Sequence, residues 1–239
     1  METRARNQTG YEKWRNGIDR ADSRWDEYDG VIREVIGSYS RHLAARGGYR
    51  PLDWRIVKAM LWTETGPHSK EWGSRPLRIG VPGDPGLRAL LSGREGGELI
   101  MSPTCRVIAS EAQILPRANI RAGVGYLLMR LAEYGFETVV APDARIFEVA
   151  VRRGDTLERI ARANGSTTAV LASLNPHATR MLREGMLLRC QRASTQKVVT
   201  GWRSPSYRTV ALRYNGGGDP LYAQKLEYAM NVIRRREPQ

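Results

Sequence analysis

From Asp26 onward the chain places apolar side chains three and four residues apart, at Tyr28, Val31, Ile32, Val35, Ile36 and Tyr39. That spacing gives one apolar helical face, which Gly47 and Gly48 close. A second helix is predicted from Asp53 to Gly66, with Asp53 as N-cap, Ile56, Val57, Met60 and Leu61 on one face, and Gly66 and Pro67 as the stop. Between Pro67 and Pro103 the pattern dissolves into Gly and Pro, including the run Arg75 to Gly86. An ordered loop is expected there, with at most a short helix at Leu87 to Leu91. Loops of that length inside a compact domain are usually functional. Helical spacing returns at 104–115, and more clearly over Ala118 to Tyr134 with Ile120, Val124, Leu127, Leu128 and Leu131, before Gly135. Gly123 and Gly125 inside that helix cost about 1 kcal/mol each relative to Ala, which fits either close approach of another backbone or a tightly packed core helix.

At Ile146 the period changes from helical to alternating, with Phe147, Val149 and Val151 on one side and Glu148, Ala150 and Arg152 on the other. One short helix carries Leu157, Ile160, Ala161 and Asn164. Another carries Val170, Leu171 and Leu174 and ends at Asn175 and Pro176, and Met186 to Cys190 reads as a closing strand. Residues 146–192 therefore form a small β-α-α-β unit. Arg192 to Lys197 reads as a polar, basic linker. Helical spacing resumes at Ser206 with Tyr207, Val210, Ala211 and Tyr214 and stops at Asn215 to Gly218. Asp219 and Pro220 open the last helix, whose apolar face is Tyr222, Leu226, Ala229, Val232 and Ile233, and Arg234 to Arg236 end it. Residues 1–25 are polar and Arg-rich, and are expected to be a solvated arm or a surface helix. The fold class is mainly α: a discontinuous helical domain, 26–145 and 198–239, interrupted by the small unit.

At 239 residues there is room for a main domain plus a module. A 41% apolar content with six Trp and ten Tyr argues for a folded chain, and aromatics with a polar tip suit sugar clefts as well as cores. The net charge of +13 favours a polyanionic partner: nucleic acid, an anionic membrane or the bacterial wall. The basic residues are dispersed through every segment and no nucleic-acid motif appears, so nucleic acid is not expected. No run of about 18 apolar residues exists, so membrane association is expected to be peripheral at most. The first residues lack the apolar stretch of an ordinary signal peptide. An extracytoplasmic substrate would then be reached by a phage, holin or contact-dependent secretion route. Cys105 and Cys190 read as buried free thiols, and His42, His68 and His177 are scattered, so neither a metal nor another cofactor is expected.

One carboxylate sits where carboxylates are costly. Glu64 falls on the apolar face one turn beyond Met60 and Leu61, where burial and the negative end of the helix dipole both disfavour its ionised form. A Glu kept protonated is what a general acid for glycosidic cleavage requires. A solvated residue in a fraying last turn is the alternative.

In the β-α-α-β unit, the segments GDTL, IA, L-x-x-L-N-P and L-x-x-G-x-x-L occur in order, so residues 147–191 resemble a LysM module, a small fold that binds N-acetylglucosamine-containing glycans. The resemblance implies a sugar lying across Gly154, Asp155, Thr156 and Leu157 on one side and Leu174, Asn175 and Pro176 on the other, with backbone groups binding the N-acetyl amide. GDTL also serves as a helix cap, with Asp155 as N-cap and Gly154 as turn.

Three further segments, Thr63 to Gly66, Arg117 to Leu131 and Leu212 to Gly218, are similar, in order, to the lytic transglycosylases of the goose-type-lysozyme superfamily. That resemblance implies a lysozyme-like helical catalytic domain with Glu64 as acid and base, Tyr214 donating its hydroxyl to the Glu64 carboxyl, and Asn215 beside it. Substrate contacts are then expected from Thr65, Arg78, Asp84, Asn119 and Tyr126. The family's Gly-Leu-Met-Gln segment is replaced here by Arg75 to Gly86, which puts Arg78 and Ile79 at expected substrate contacts. The LysM-like unit looks like an insertion, since it separates two segments that follow one another directly in most of that family, and the adjacent ends of a β-α-α-β unit let it be spliced into a surface loop. The implied reaction uses one carboxyl: Glu64 protonates the oxygen between N-acetylmuramic acid and N-acetylglucosamine, then deprotonates the sugar's 6-hydroxyl to close a 1,6-anhydro ring. A hydrolysing muramidase would need a second carboxylate roughly 5 to 9.5 Å away, for which Asp84 is the candidate, although Asp before Pro-Gly is also common turn chemistry. The altered segment leaves open a peptidoglycan-binding protein without activity. Expected partners are peptidoglycan glycan strands, and an immunity protein or delivery machine would fit the export route.

Overall fold

The structure is a computed structural model that describes residues 9–237. It divides into two compact units, one made of the chain up to Glu133 together with Val199 onward, the other of Tyr134 to Val198.

The first unit is helical. Its elements are α1 (Gly10–Asp19), α2 (Asp29–Leu43), α3 (Trp54–Glu64), α4 (Gly86–Leu91), α5 (Gly97–Ile100), α6 (Ala109–Ala112), α7 (Pro116–Leu131), α10 (Tyr207–Arg213) and α11 (Tyr222–Arg236). Asp53 caps α3 as expected, accepting from the Arg55 N–H, and every residue from Ile56 to Trp62 is buried because α2 and α11 both pack on the helix. Burial all round includes Lys58, whose ammonium lies 2.7 Å from both Asp26 Oδ1 and Asp29 Oδ2. A buried cation needs such partners, since an unpaired one would cost several kcal/mol. In α7 the two glycines are explained by packing against side chains. A Cβ at Gly123 would lie 2.4 Å from Leu77 Cδ1, and one at Gly125 would lie 2.4 Å from Tyr39 Oη.

Several expectations need correction. Residues 1–8 lie outside the described residues, and of the two expectations for 1–25 the surface helix holds over Gly10–Asp19, where Ile18 alone is buried; the solvated arm does not, since Trp25 is buried, Trp14 Nε1 donates to the Trp62 carbonyl and Trp62 Nε1 donates to the Trp25 carbonyl. Two indoles among many charges outweighed the polar composition. The helix foreseen over 104–115 shrinks to a turn at Pro103–Cys105 and the single turn of α6, because Leu115 precedes Pro116 and is held extended. The α7 helix ends at Leu131 rather than Tyr134. The chain continues without a loop into β1 (Ala132–Val140), which pairs with β4 (Ala193–Trp202) in a two-stranded sheet. The supposed linker Arg192 to Lys197 is thus mostly strand. Its Ser, Thr, Gln and Lys side chains are compatible with an exposed ribbon, whose hydrogen bonds come from a partner strand about sixty residues away.

The second unit holds the expected β-α-α-β order: β2 (Ile146–Ala150), α8 (Leu157–Ala163), α9 (Thr168–Leu174) and β3 (Leu187–Gln191). β2 and β3 are antiparallel, with Phe147 opposite Cys190 and Val149 opposite Leu188. Its small core is Val151, Ile160, Ala161, Leu171, Ala178, Leu188 and Cys190, and both Cys190 and Cys105 are buried free thiols. Among the described residues no helix is long and apolar enough to cross a membrane, and no cluster of His, Cys, Asp and Glu could hold a metal.

Candidate functional site

Glu64 is the last residue of α3, and the turn beyond it is pinned on both sides. Thr65 Oγ1 donates to the Pro76 carbonyl at 2.9 Å, and Gly66 takes φ +82° with the Trp25 ring packed where a Cβ would be. The loop returning from this turn is held at Leu77 and Ile79. Asn119 Oδ1 accepts from the Leu77 N–H at 3.0 Å, while Asn119 Nδ2 donates to the carbonyls of Ile79 and Ala112. Tyr214 Oη donates to the Leu77 carbonyl at 2.9 Å. Between these clamped residues Arg78 adopts φ +52°, a conformation that costs a residue with a Cβ about 1 kcal/mol and persists because both neighbours are fixed. Its side chain is exposed at the rim of a cleft that it shares with Glu64.

The resulting cleft, about 270 Å³, is small for a ligand site and is lined by Glu64, Leu77, Arg78, Ile79, Val81, Asp84, Tyr126, Tyr214 and Asn215. Tyr126 and Tyr214 meet edge to face with ring centroids 5.5 Å apart. Asn215 Oδ1 accepts from the Asp219 N–H, so its NH₂ is the group left for a ligand. Asp84 is tied into the wall by its own turn, Oδ2 accepting from Gly80 N–H at 2.6 Å and Oδ1 from Gly86 N–H at 2.9 Å.

Glu64 accepts a hydrogen bond from Tyr222 Oη at 2.8 Å. Burial pushes its carboxyl above the ordinary value of 4.5, the Tyr222 hydrogen bond and the Arg78 charge pull it back, and Asp84 and Asp219 push it up again. Burial wins. The phenols of Tyr214 and Tyr222 are likewise held well above their ordinary value, first by burial and next by the Glu64 charge.

Of the expected site residues, Glu64, Arg78, Asp84, Tyr126, Tyr214 and Asn215 line one cleft. Two do not. Asn119 is fully buried and Thr65 spends its hydroxyl on Leu61 and Pro76, so both shape the loop rather than face a ligand. Tyr214 is also corrected: its hydroxyl is bound to the Leu77 carbonyl, and the phenol on Glu64 belongs to Tyr222. The apolar spacing of α11 placed Tyr222 in the core, where it is, at 2% exposure. Nothing in that spacing could reveal that its one polar atom meets a carboxyl 158 residues away.

In the second unit, Gly154 takes φ +80° in an exposed turn, and Asp155 Oδ2 accepts from Arg152 N–H at 2.8 Å. The helix cap is Thr156, which accepts from Arg159 N–H, not Asp155. Leu157 packs on the module's core and Leu174 is half-buried, while Pro176 begins an exposed turn. Asn175 is 1% exposed and fully used, Nδ2 donating to the Leu171 and Arg189 carbonyls and Oδ1 accepting from Arg189 N–H. The side chains of Asp155, Thr156 and Asn175 therefore build the two loops.

Residues 149–189 match the LysM domain family, a peptidoglycan-binding module. Neither the curated proteins nor the solved structures gave a significant match to the chain.

Proposed function

We propose that this chain cleaves peptidoglycan as a lytic transglycosylase, with Glu64 as its only acid and base and the LysM module holding it on glycan strands. The observation that carries the proposal is a carboxyl biased towards its protonated form, gripped by the Tyr222 phenol and open to a cleft walled by Tyr126, Tyr214, Asn215 and Arg78. The resemblance of the Thr63 to Gly66, Arg117 to Leu131 and Leu212 to Gly218 segments to that family supports the same reading.

Protonated Glu64 gives its proton to the glycosidic oxygen as the C1–O bond breaks. The carboxylate left behind removes the proton of the 6-hydroxyl while O6 bonds to C1, so Glu64 ends the cycle protonated and no water is consumed. Tyr222 supports the ionised half of that cycle, because a hydrogen bond donated to a carboxylate stabilises it. Asp84 has a structural role of its own in this reading: each of its oxygens accepts a backbone N–H bond that holds the turn forming the wall, so no second catalytic carboxylate is needed to account for it. The site of action is then the periplasm or cell wall, and LysM chemistry makes glycan strands the partner.

Mass spectrometry of sacculi digested with wild type and with Glu64→Gln tests the proposal. Anhydromuramic ends from the wild type alone are expected. Reducing muramic ends alone would make it a muramidase. Absence of any product, with binding to sacculi retained, would leave a binding protein.

A further inference from the structure

A second hollow, of about 740 Å³, shares Val81 and Asp84 with the cleft that holds Glu64. Its apolar wall is made by Val81, Pro82, Leu87, Leu91 and Ile114. Ile114 is 64% exposed and Leu91 36%, and both line the hollow, so folding leaves large apolar side chains of this wall in water. Such clusters on a folded surface mark places where something docks.

The charges in this wall are unequal. Arg75 is neutralised by a two-point contact with Glu71, Nε to Oε2 at 2.6 Å and Nη2 to Oε1 at 3.0 Å. Asp84 is turned to the N–H groups of Gly80 and Gly86. Arg88 is exposed, and its guanidinium makes no hydrogen bond or ion pair among the described residues. The hollow thus presents small apolar surfaces, the unpartnered cation of Arg88 and, on the side it shares with the Glu64 cleft, the hydrogen-bonded carboxylate of Asp84. A sugar ring needs hydrogen-bond partners around its hydroxyl-bearing edge, which the aliphatic side chains of this wall do not supply. A short acidic peptide with alanine-sized side chains matches it, its methyl groups on Leu87, Leu91 and Ile114 and a carboxylate on Arg88.

We propose that this groove binds the peptide carried by the muramic acid of peptidoglycan, while the glycan passes through the Glu64 cleft; the proposal rests on the cell-wall reading above. The segment Arg75 to Gly86 forms part of both walls, so one loop serves sugar and peptide together.

The full chain is given soluble glycan strands that carry their peptides and the same strands stripped of peptide by an amidase, and kcat/KM is compared. The wild type should favour peptide-bearing strands by about tenfold or more, the worth of a charge-assisted hydrogen bond, and Arg88→Glu should bring the ratio close to one. Equal rates on both strands, or a ratio that Arg88→Glu leaves unmoved, would refute the peptide groove while leaving the enzyme intact. If neither strand is cut, the catalytic reading fails instead, and the groove is judged by anisotropy of a labelled sugar-free stem tetrapeptide. Saturable binding that Arg88→Glu and Ile114→Glu each weaken about tenfold upholds the proposal, and absence of saturation overturns it. A dimer in sedimentation that Ile114→Glu dissolves, with no peptide preference, would assign the groove to a second copy and overturn it as well.

Discussion

Glu64 is held against ionisation chiefly by burial and eased towards it by the Tyr222 phenol and the Arg78 charge, which makes its pH behaviour open to test. With its folded value raised above the ordinary 4.5, the native state binds more protons than the unfolded state across the interval between the two. Stability contributed by this group therefore falls as pH rises through that interval and stays lost above it. Glu64→Gln should melt higher than wild type at about pH 7 and no higher at about pH 4, in differential scanning calorimetry at both values. The same variant should lose nearly all lytic activity, while Gln still accepts from Tyr222. Tyr222→Phe removes a bond that lowers the Glu64 value, so the alkaline limb of the pH–rate profile should move to higher pH. An unmoved limb would show that the phenol does not act on the carboxyl.

The loop that carries Leu77 to Ile79 depends less on its own sequence than on α7. Asn119, the third helical position after Pro116, supplies three buried hydrogen bonds that fix Leu77, Ile79 and Ala112. Asn119→Ala leaves an N–H and two carbonyls buried without partners, so a loss of about 3 kcal/mol or more is expected in urea unfolding, together with reduced cleavage. Periodicity found α3, α7, α10 and α11 because each buries a face or its whole girth. It overextended α6, a single turn inside the helix expected over 104–115, and it missed β1 and β4, whose polar, β-branched alternation is stabilised by pairing with each other. In the second unit the order of elements was legible, while the cap was misassigned by one residue, since Asp155 and Thr156 are both able to cap and only the turn at Gly154 decides between them.

Across the whole chain, charge and module point to one kind of partner. The net charge of +13 is spread over many segments, so attraction to the anionic wall should be long-ranged and easily screened. Retention on purified sacculi should fall steeply between about 0.1 M and about 1 M salt, where the screening length shrinks to about 3 Å. The fraction retained at high salt should be displaced by soluble N-acetylglucosamine oligomers acting on the LysM loops. Retention indifferent to salt would remove charge from the account.

The position of Glu64 on a buried helical face, the glycine stops, the faces of the long helices and the β-α-α-β module are written in local spacing, because a period of 3.6 or 2 needs only neighbours along the chain to be expressed. The Tyr222 phenol on Glu64, the Tyr214 phenol on the Leu77 carbonyl, the left-handed turn at Arg78 and the pairing of β1 with β4 were decided by tertiary structure. Each joins groups far apart in the chain or depends on neighbours clamped from elsewhere. A hydrogen bond of that kind leaves no trace in the spacing of either partner.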